Sequence, residues 1–224
     1  MAKKNVFISV TVLIISLVLS FFIWKFNNGG HELQEYIVGN MIYLLFIPFL
    51  IIFFIFGSDV KEFGMKLPEN PKWIWSITGI CMLIIVAVLY FPSKWPQFQE
   101  YYPIFKQFRN ADIFFFKENP FAADFGKMVC TETMYMFYMF GWEFFFRGFM
   151  TCGMEKYFGL WAILIQTIPF TLLHAGKPIE ETVSSFFAGL ALGLLAYYGK
   201  SFLPCFILHG WVSVMFDVMV ILNR

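Results

Sequence analysis

The chain has 224 residues, with 16 Lys and Arg against 15 Asp and Glu, and only 14% of it is charged, against about 25% in soluble domains. Hydrophobic residues make up 59% and aromatic residues 22%, and the mean hydropathy is +0.69. This excludes an ordinary soluble globule, and a net charge of +1 offers no basic surface for nucleic acid.

The apolar residues fall in blocks near the roughly 20 residues that a helix needs to cross a bilayer. Seven are expected, at about Val6–Phe26, Tyr36–Phe56, Trp73–Phe91, Lys127–Met150, Tyr157–His174, Thr182–Tyr198 and Phe202–Leu222. The class is therefore all-α, a polytopic transmembrane bundle in one domain spanning 1–224. Within it, 1–126 reads as scaffold helices and an interfacial loop, and 127–224 as the candidate active-site helices. The first block follows Lys3 and Lys4 but is too long for a signal peptide and lacks a small-residue cleavage site, so a retained helix is expected.

Lys3 and Lys4 favour a cytoplasmic N-terminus, and Lys61, Lys66 and Lys72 in the second loop agree. Lys94, Lys106, Arg109 and Lys117 in 92–126 would then lie outside, against the rule. That stretch also holds Tyr101, Tyr102, Phe105 and Phe114–Phe116. It reads either as an interfacial segment with aromatics at headgroup level or as a short span, an eighth, that reverses the later orientation. Cys81, Cys130, Cys152 and Cys205 form no CxxC pair and read as small buried hydrophobes.

Three ionisable residues stand inside or at the end of apolar blocks: Glu143, His174 and His209. Each such group in hydrocarbon is costly, by roughly 2.5–3.5 kcal/mol for a charge on insertion scales, and so points to a partner or a use. Glu143 and Arg147 are four apart with the acid first, the favourable order for a pair on one helix face. That spacing fits a purely internal ion pair and equally a carboxylate held ready to take a proton from water. His174 ends the fifth block, where a satisfied interfacial residue is the bland alternative. His209, Ser213 and Asp217 follow at four-residue steps, a polar stripe that should face other helices or a cavity. Glu132 lies eleven residues before Glu143 on nearly the same face, about 16 Å away along the axis. Glu180 and Glu181 are expected to be solvated at the interface. The depths are awkward: Glu143 lies late in its block, His174 at the end of the next, and His209 a third of the way along its own.

In order, Glu143-xxx-Arg147, Phe170-xxx-His174 and His209 at the head of a polar stripe resemble the CAAX protease and bacteriocin-processing family of intramembrane endopeptidases (CPBP). The stretch covered is about Trp142–Asp217, with 141–150 (GWEFFFRGFM) the strongest match. The family pattern is Glu-Glu-xxx-Arg, Phe-xxx-His, His-xxx-Asn. Here Trp142 stands at the first Glu, the residue generally taken to activate water in the family, and Ser213 stands at the Asn.

The resemblance implies hydrolysis of a peptide bond in a membrane-associated protein or peptide. Glu143 would be the general base oriented by Arg147, with His174 positioning the water and His209 and Ser213 stabilising the oxyanion. A second version makes Glu143, His174 and His209 a His₂Glu zinc site with an open water position. The two motif departures leave open a catalytically silent relative that binds a membrane-protein partner, in immunity or assembly. A small transporter is disfavoured by the lack of inverted repeats. Richness in Phe, Ile, Asn and Lys suggests a bacterium with an AT-rich genome, and hence the inner membrane.

Overall fold

A computed structural model describes residues 2–109 and 125–224. Ile113–Phe116 and Lys117, part of the expected interfacial stretch, lie outside the described residues. The main helices are α1 (Ala2–Asn27), α2 (Leu33–Ile55) and α3 (Pro71–Leu89), a short α4 (Pro96–Tyr101), then α5 (125–158), α6 (Trp161–Leu172), α7 (Ile179–Gly199) and α8 (Leu203–Leu222). No strand occurs among the described residues, so the expected helical bundle is what forms.

Among the described residues five helices are long and apolar enough to cross a membrane: α1, α2, α3 with its short extension to Lys94, α7 and α8. The other two expected blocks differ. α6 has 12 residues, about 18 Å of helix, short of a hydrocarbon core of about 30 Å. α5 runs unbroken from 125 to 158, well beyond Met150, and is the axis of the bundle.

Every residue from Gly141 to Met154 is buried, including Phe144, Phe145, Phe146 and Phe149 at 0% exposure. Four successive residues point around the whole circumference of a helix, so apolar groups on all of them require neighbours on all sides. α1, α2, α6, α7 and α8 supply them. Lipid tails are as apolar as Phe, so close packing rather than escape from water holds this core. Glycines set the approach: a Cβ at Gly141 would meet Met41 Sδ at 2.6 Å, and one at Gly148 would meet the Phe63 carbonyl at 2.7 Å.

From Phe144 to Cys152 the helix widens to π geometry. The Thr151 hydroxyl donates to the Phe146 carbonyl five residues back, at 2.9 Å. Such wide turns are rare and gather at functional sites. Gly159, with φ of 55°, then stops α5 and turns the chain into α6. α8 starts cleanly because Pro204 falls in its first turn, where a missing N–H costs nothing.

Residues 92–107 form a strap of short helical turns at the far end of α8. Phe98, Tyr102, Ile104 and Phe105 are buried beneath it. Gln99 Nε2 donates to the Asn223 carbonyl at 2.9 Å, and the Ile104 amide donates to Asp217 Oδ1 at 3.1 Å. Cys152 and Cys205 are buried as expected, but Cys130 is exposed, on the outer face of the first turns of α5.

Candidate active site

The difficulty over depth disappears with the length of α5. Glu143 lies near the middle of that helix, not at its end, and the turn at Gly159 folds α6 back so that 170–174 runs beside 142–147. α8 packs antiparallel to α5, which sets His209 against Glu143 and Ser213 against Met139.

Glu143 Oε1 receives two hydrogen bonds. Arg147 Nη1 donates at 3.2 Å from one turn along, and His209 Nδ1 donates at 2.6 Å from α8. Glu143 and Arg147 are both 0% exposed, while the His209 side chain keeps 17%. A carboxylate can only accept, so His209 carries its proton on Nδ1 and leaves Nε2 with a lone pair. His174 reaches the same state by another route: its Nδ1 donates to the Phe170 carbonyl four residues back, at 2.8 Å. Both imidazoles therefore present an unprotonated Nε2.

Phe170 is the hub. Its ring centroid lies 4.7 Å from that of His174, 5.9 Å from His209 and 6.0 Å from Trp142. The Arg147 guanidinium carbon sits 4.0 Å over its face, a cation–π contact strengthened by the absence of water. Trp142 closes the wall, edge-on to His174 at 5.9 Å. Among the described residues several buried polar atoms here have no hydrogen-bond partner: Trp142 Nε1, Glu143 Oε2, Arg147 Nε and Nη2, and Thr171 Oγ1. Buried polar groups are normally satisfied, so these are the atoms that water or a polar ligand would satisfy.

Of the sequence-predicted residues, Glu143, Arg147, His174 and His209 are gathered around Phe170. Ser213 lies one turn along α8 and touches only the Met139 sulfur, at 3.9 Å, rather than the Glu143–His209 pair. The zinc version fares poorly on geometry. Among the described residues no three His, Cys, Asp or Glu side chains converge to hold an ion. Glu143 and His209 meet directly through a hydrogen bond, and Glu143 Oε1 is shared by His209 and Arg147. The residues as arranged do not fit the metal.

Sequence reasoning missed two features. Phe170 was legible only as a motif letter, although its four-residue spacing to His174 already set the carbonyl acceptor. Glu181, expected to be solvated, accepts from Lys177 Nζ and from the Tyr102 hydroxyl, each at 2.7 Å. Burial by itself would lower the Lys177 ammonium, but Glu181 outweighs it and holds the group above the usual lysine range. Glu180 is exposed, as expected, and accepts a hydrogen bond from Gln97 Nε2 at 3.0 Å. These contacts tie the strap to the start of α7.

Residues 127–215 match the family model described as "Type II CAAX prenyl endopeptidase Rce1-like". The match covers the same helices as the motif resemblance, from the start of α5 to the Ser213 turn of α8. No curated protein and no solved structure matches the chain.

Proposed function

We propose, from the match of residues 127–215 to the Rce1-like family, that this integral membrane protein hydrolyses a peptide bond in a membrane-associated protein or peptide. One observation carries the reading: the 2.6 Å contact between the fully buried Glu143 Oε1 and Nδ1 of His209, whose side chain keeps 17% exposure. A carboxylate behind an imidazole fixes its tautomer and stabilises the imidazolium that forms when the imidazole takes a proton.

The proton acceptor is then His209 Nε2, with Glu143 as its orienting partner rather than the base itself. Glu143 is fully enclosed and its Oε1 is already shared by two donors, which supports this division of labour. His174 Nε2 offers a second acceptor across the Phe170 ring. It positions the attacking water or passes the proton to the leaving amine. Arg147 donates to Glu143 and is covered on one face by Phe170. The N–H of Trp142, which has no partner among the described residues, offers a donor for the developing oxyanion; Ser213, whose hydroxyl is turned to the Met139 sulfur, would have to rotate to add a second. No metal step enters. The composition agrees with the inner membrane of a bacterium as the setting.

The test is purified protein reconstituted with membrane-inserted peptides, with new peptide termini read by mass spectrometry. Cleavage is expected for the wild type and a loss of about 10²–10⁴-fold for H209A, with H174A also impaired. Undiminished cleavage by both variants would overturn the reading. A second reading has its own support: the Trp142 indole has no acidic proton acceptor to offer beside His174. On it the protein is a silent relative that binds a membrane-protein partner. Stable capture of such a partner, with no new termini from wild type or variants, would establish that reading instead.

A further inference from the structure

The turn that carries His174 is closed by the helix that follows it. α6 ends at Leu172, and His174 stands just beyond, so the helix ladder does not hold its carbonyl. The chain reverses through Ala175, Gly176 and Lys177, with Gly176 at φ of 100°, a value that residues with side chains rarely adopt. Both lone pairs of the His174 carbonyl are taken. The Lys177 amide donates at 3.2 Å from within the turn, and the Thr182 hydroxyl donates at 2.9 Å from the first turn of α7.

The Thr182 bond is unlike those of other threonines in the chain. A helical threonine commonly turns its hydroxyl to the carbonyl four residues back. Thr78, Thr131, Thr133 and Thr167 all do so. Thr182 reaches eight residues back, across the chain reversal, to the residue that carries the imidazole. His174 is thus fastened on two sides. Its ring Nδ1 donates to the Phe170 carbonyl of α6 at 2.8 Å, and its own carbonyl accepts from α7. Ring and carbonyl hang on one Cα, so a backbone that turns at 174 carries the ring away from Phe170. The residue before Thr182 fixes the same turn of α7 from outside. Glu181 accepts from Lys177 Nζ and from the Tyr102 hydroxyl of the strap, each at 2.7 Å.

We propose that Thr182 is a positioning residue for His174, and that Tyr102 of the strap steadies it through Glu181. The inference rests on the reading of His174 as the group that positions water or passes a proton in peptide hydrolysis. Thr182 has no part in the chemistry itself; it sets where His174 Nε2 points.

Diethyl pyrocarbonate acylates an unprotonated imidazole nitrogen, so its rate at each histidine, read by mass spectrometry on the detergent-solubilised protein, tests the geometry without any substrate. His174 is 7% exposed and should react slowly in the wild type. T182V keeps the side-chain shape but loses the hydroxyl. It should speed modification of His174 several-fold and leave His31, at the α1–α2 turn, at its wild-type rate. T182S should react as the wild type does, and Y102F should speed His174 less than T182V. An unchanged His174 rate in T182V, or an equal rise at His31, overturns the positioning role. An unchanged rate in Y102F overturns the strap's share in it. With membrane-inserted peptides, T182V should lower kcat by about 10- to 100-fold, the scale of a misplacement near 1 Å, with KM near the wild-type value and recovery in T182S. A raised KM with kcat unchanged overturns the link to His174 chemistry. Absence of cleavage by the wild type, with His174 still exposed by T182V, would sink the hydrolysis reading and uphold the hold of Thr182 on the turn.

Discussion

Glu143 and Glu132 stand on one helix, about three turns apart, and both are buried, yet they are held in opposite ways. Glu143 receives an arginine and a histidine, and the arginine is capped in turn by an aromatic ring. Glu132 receives nothing from any described side chain or backbone N–H. The first arrangement gives the carboxyl donors from two helices, one of them an imidazole; the second encloses a carboxyl with no donor among the described residues. Burial alone thus says little about what a carboxyl does; the donors around it decide.

The sharpest way to break the contrast is at Arg147. R147M removes the cation from beneath Phe170 and strands the Glu143 charge at 0% exposure. Breaking a buried pair from one side costs about 3–5 kcal/mol, so thermal unfolding in detergent should show a large fall in midpoint, with any cleavage lost alongside it. A variant as stable as the wild type would mean that Glu143 is already neutral.

The next comparison exchanges each acid for its amide. E143Q weakens two charge-assisted hydrogen bonds, each worth about 1.5–3 kcal/mol, and frees the His209 ring to turn. E132Q removes no hydrogen bond to a described group, so its midpoint should stay within about 0.5 kcal/mol of the wild type. Equal losses in the two variants would erase the distinction between the two carboxyls.

The smallest effect is expected at the outer ion pair of the same helix, where Lys156 Nζ reaches Glu62 Oε2 at 2.7 Å and both side chains are more than 40% exposed. The hydrogen bond from Lys156 lowers the Glu62 carboxyl below its usual value. Its contribution is therefore present above the ordinary glutamate range and fades as pH falls through the lowered value. K156M should cost about 0–1 kcal/mol and less at high salt. A larger loss, unchanged by salt, would show that this pair acts like the buried one.

Much of the site was legible because it uses helix periodicity. The four-residue steps Glu143–Arg147, Phe170–His174 and His209–Ser213 each survive as physical contacts or shared faces. The bundle class was legible from block length. Less legible was where α5 ends. Gly148, Thr151 and Gly153 resemble a helix running out, but they are the small and polar residues that allow a wide turn and close neighbours within one continuous helix. The Tyr102–Glu181–Lys177 tie joins residues far apart in sequence, and no local pattern announces such a contact.

The position of Phe170 has a consequence for reading any set of variants. One ring touches both imidazoles, the Trp142 indole and the Arg147 guanidinium. Both imidazoles are therefore packed against one ring, His174 tilted at 46° and His209 edge-on at 62°. A change of size at this position moves both rings together, so His174 and His209 are not independent variables. In a lineage of such chains, the tolerance of either histidine to substitution would be inherited from the residue wedged between them.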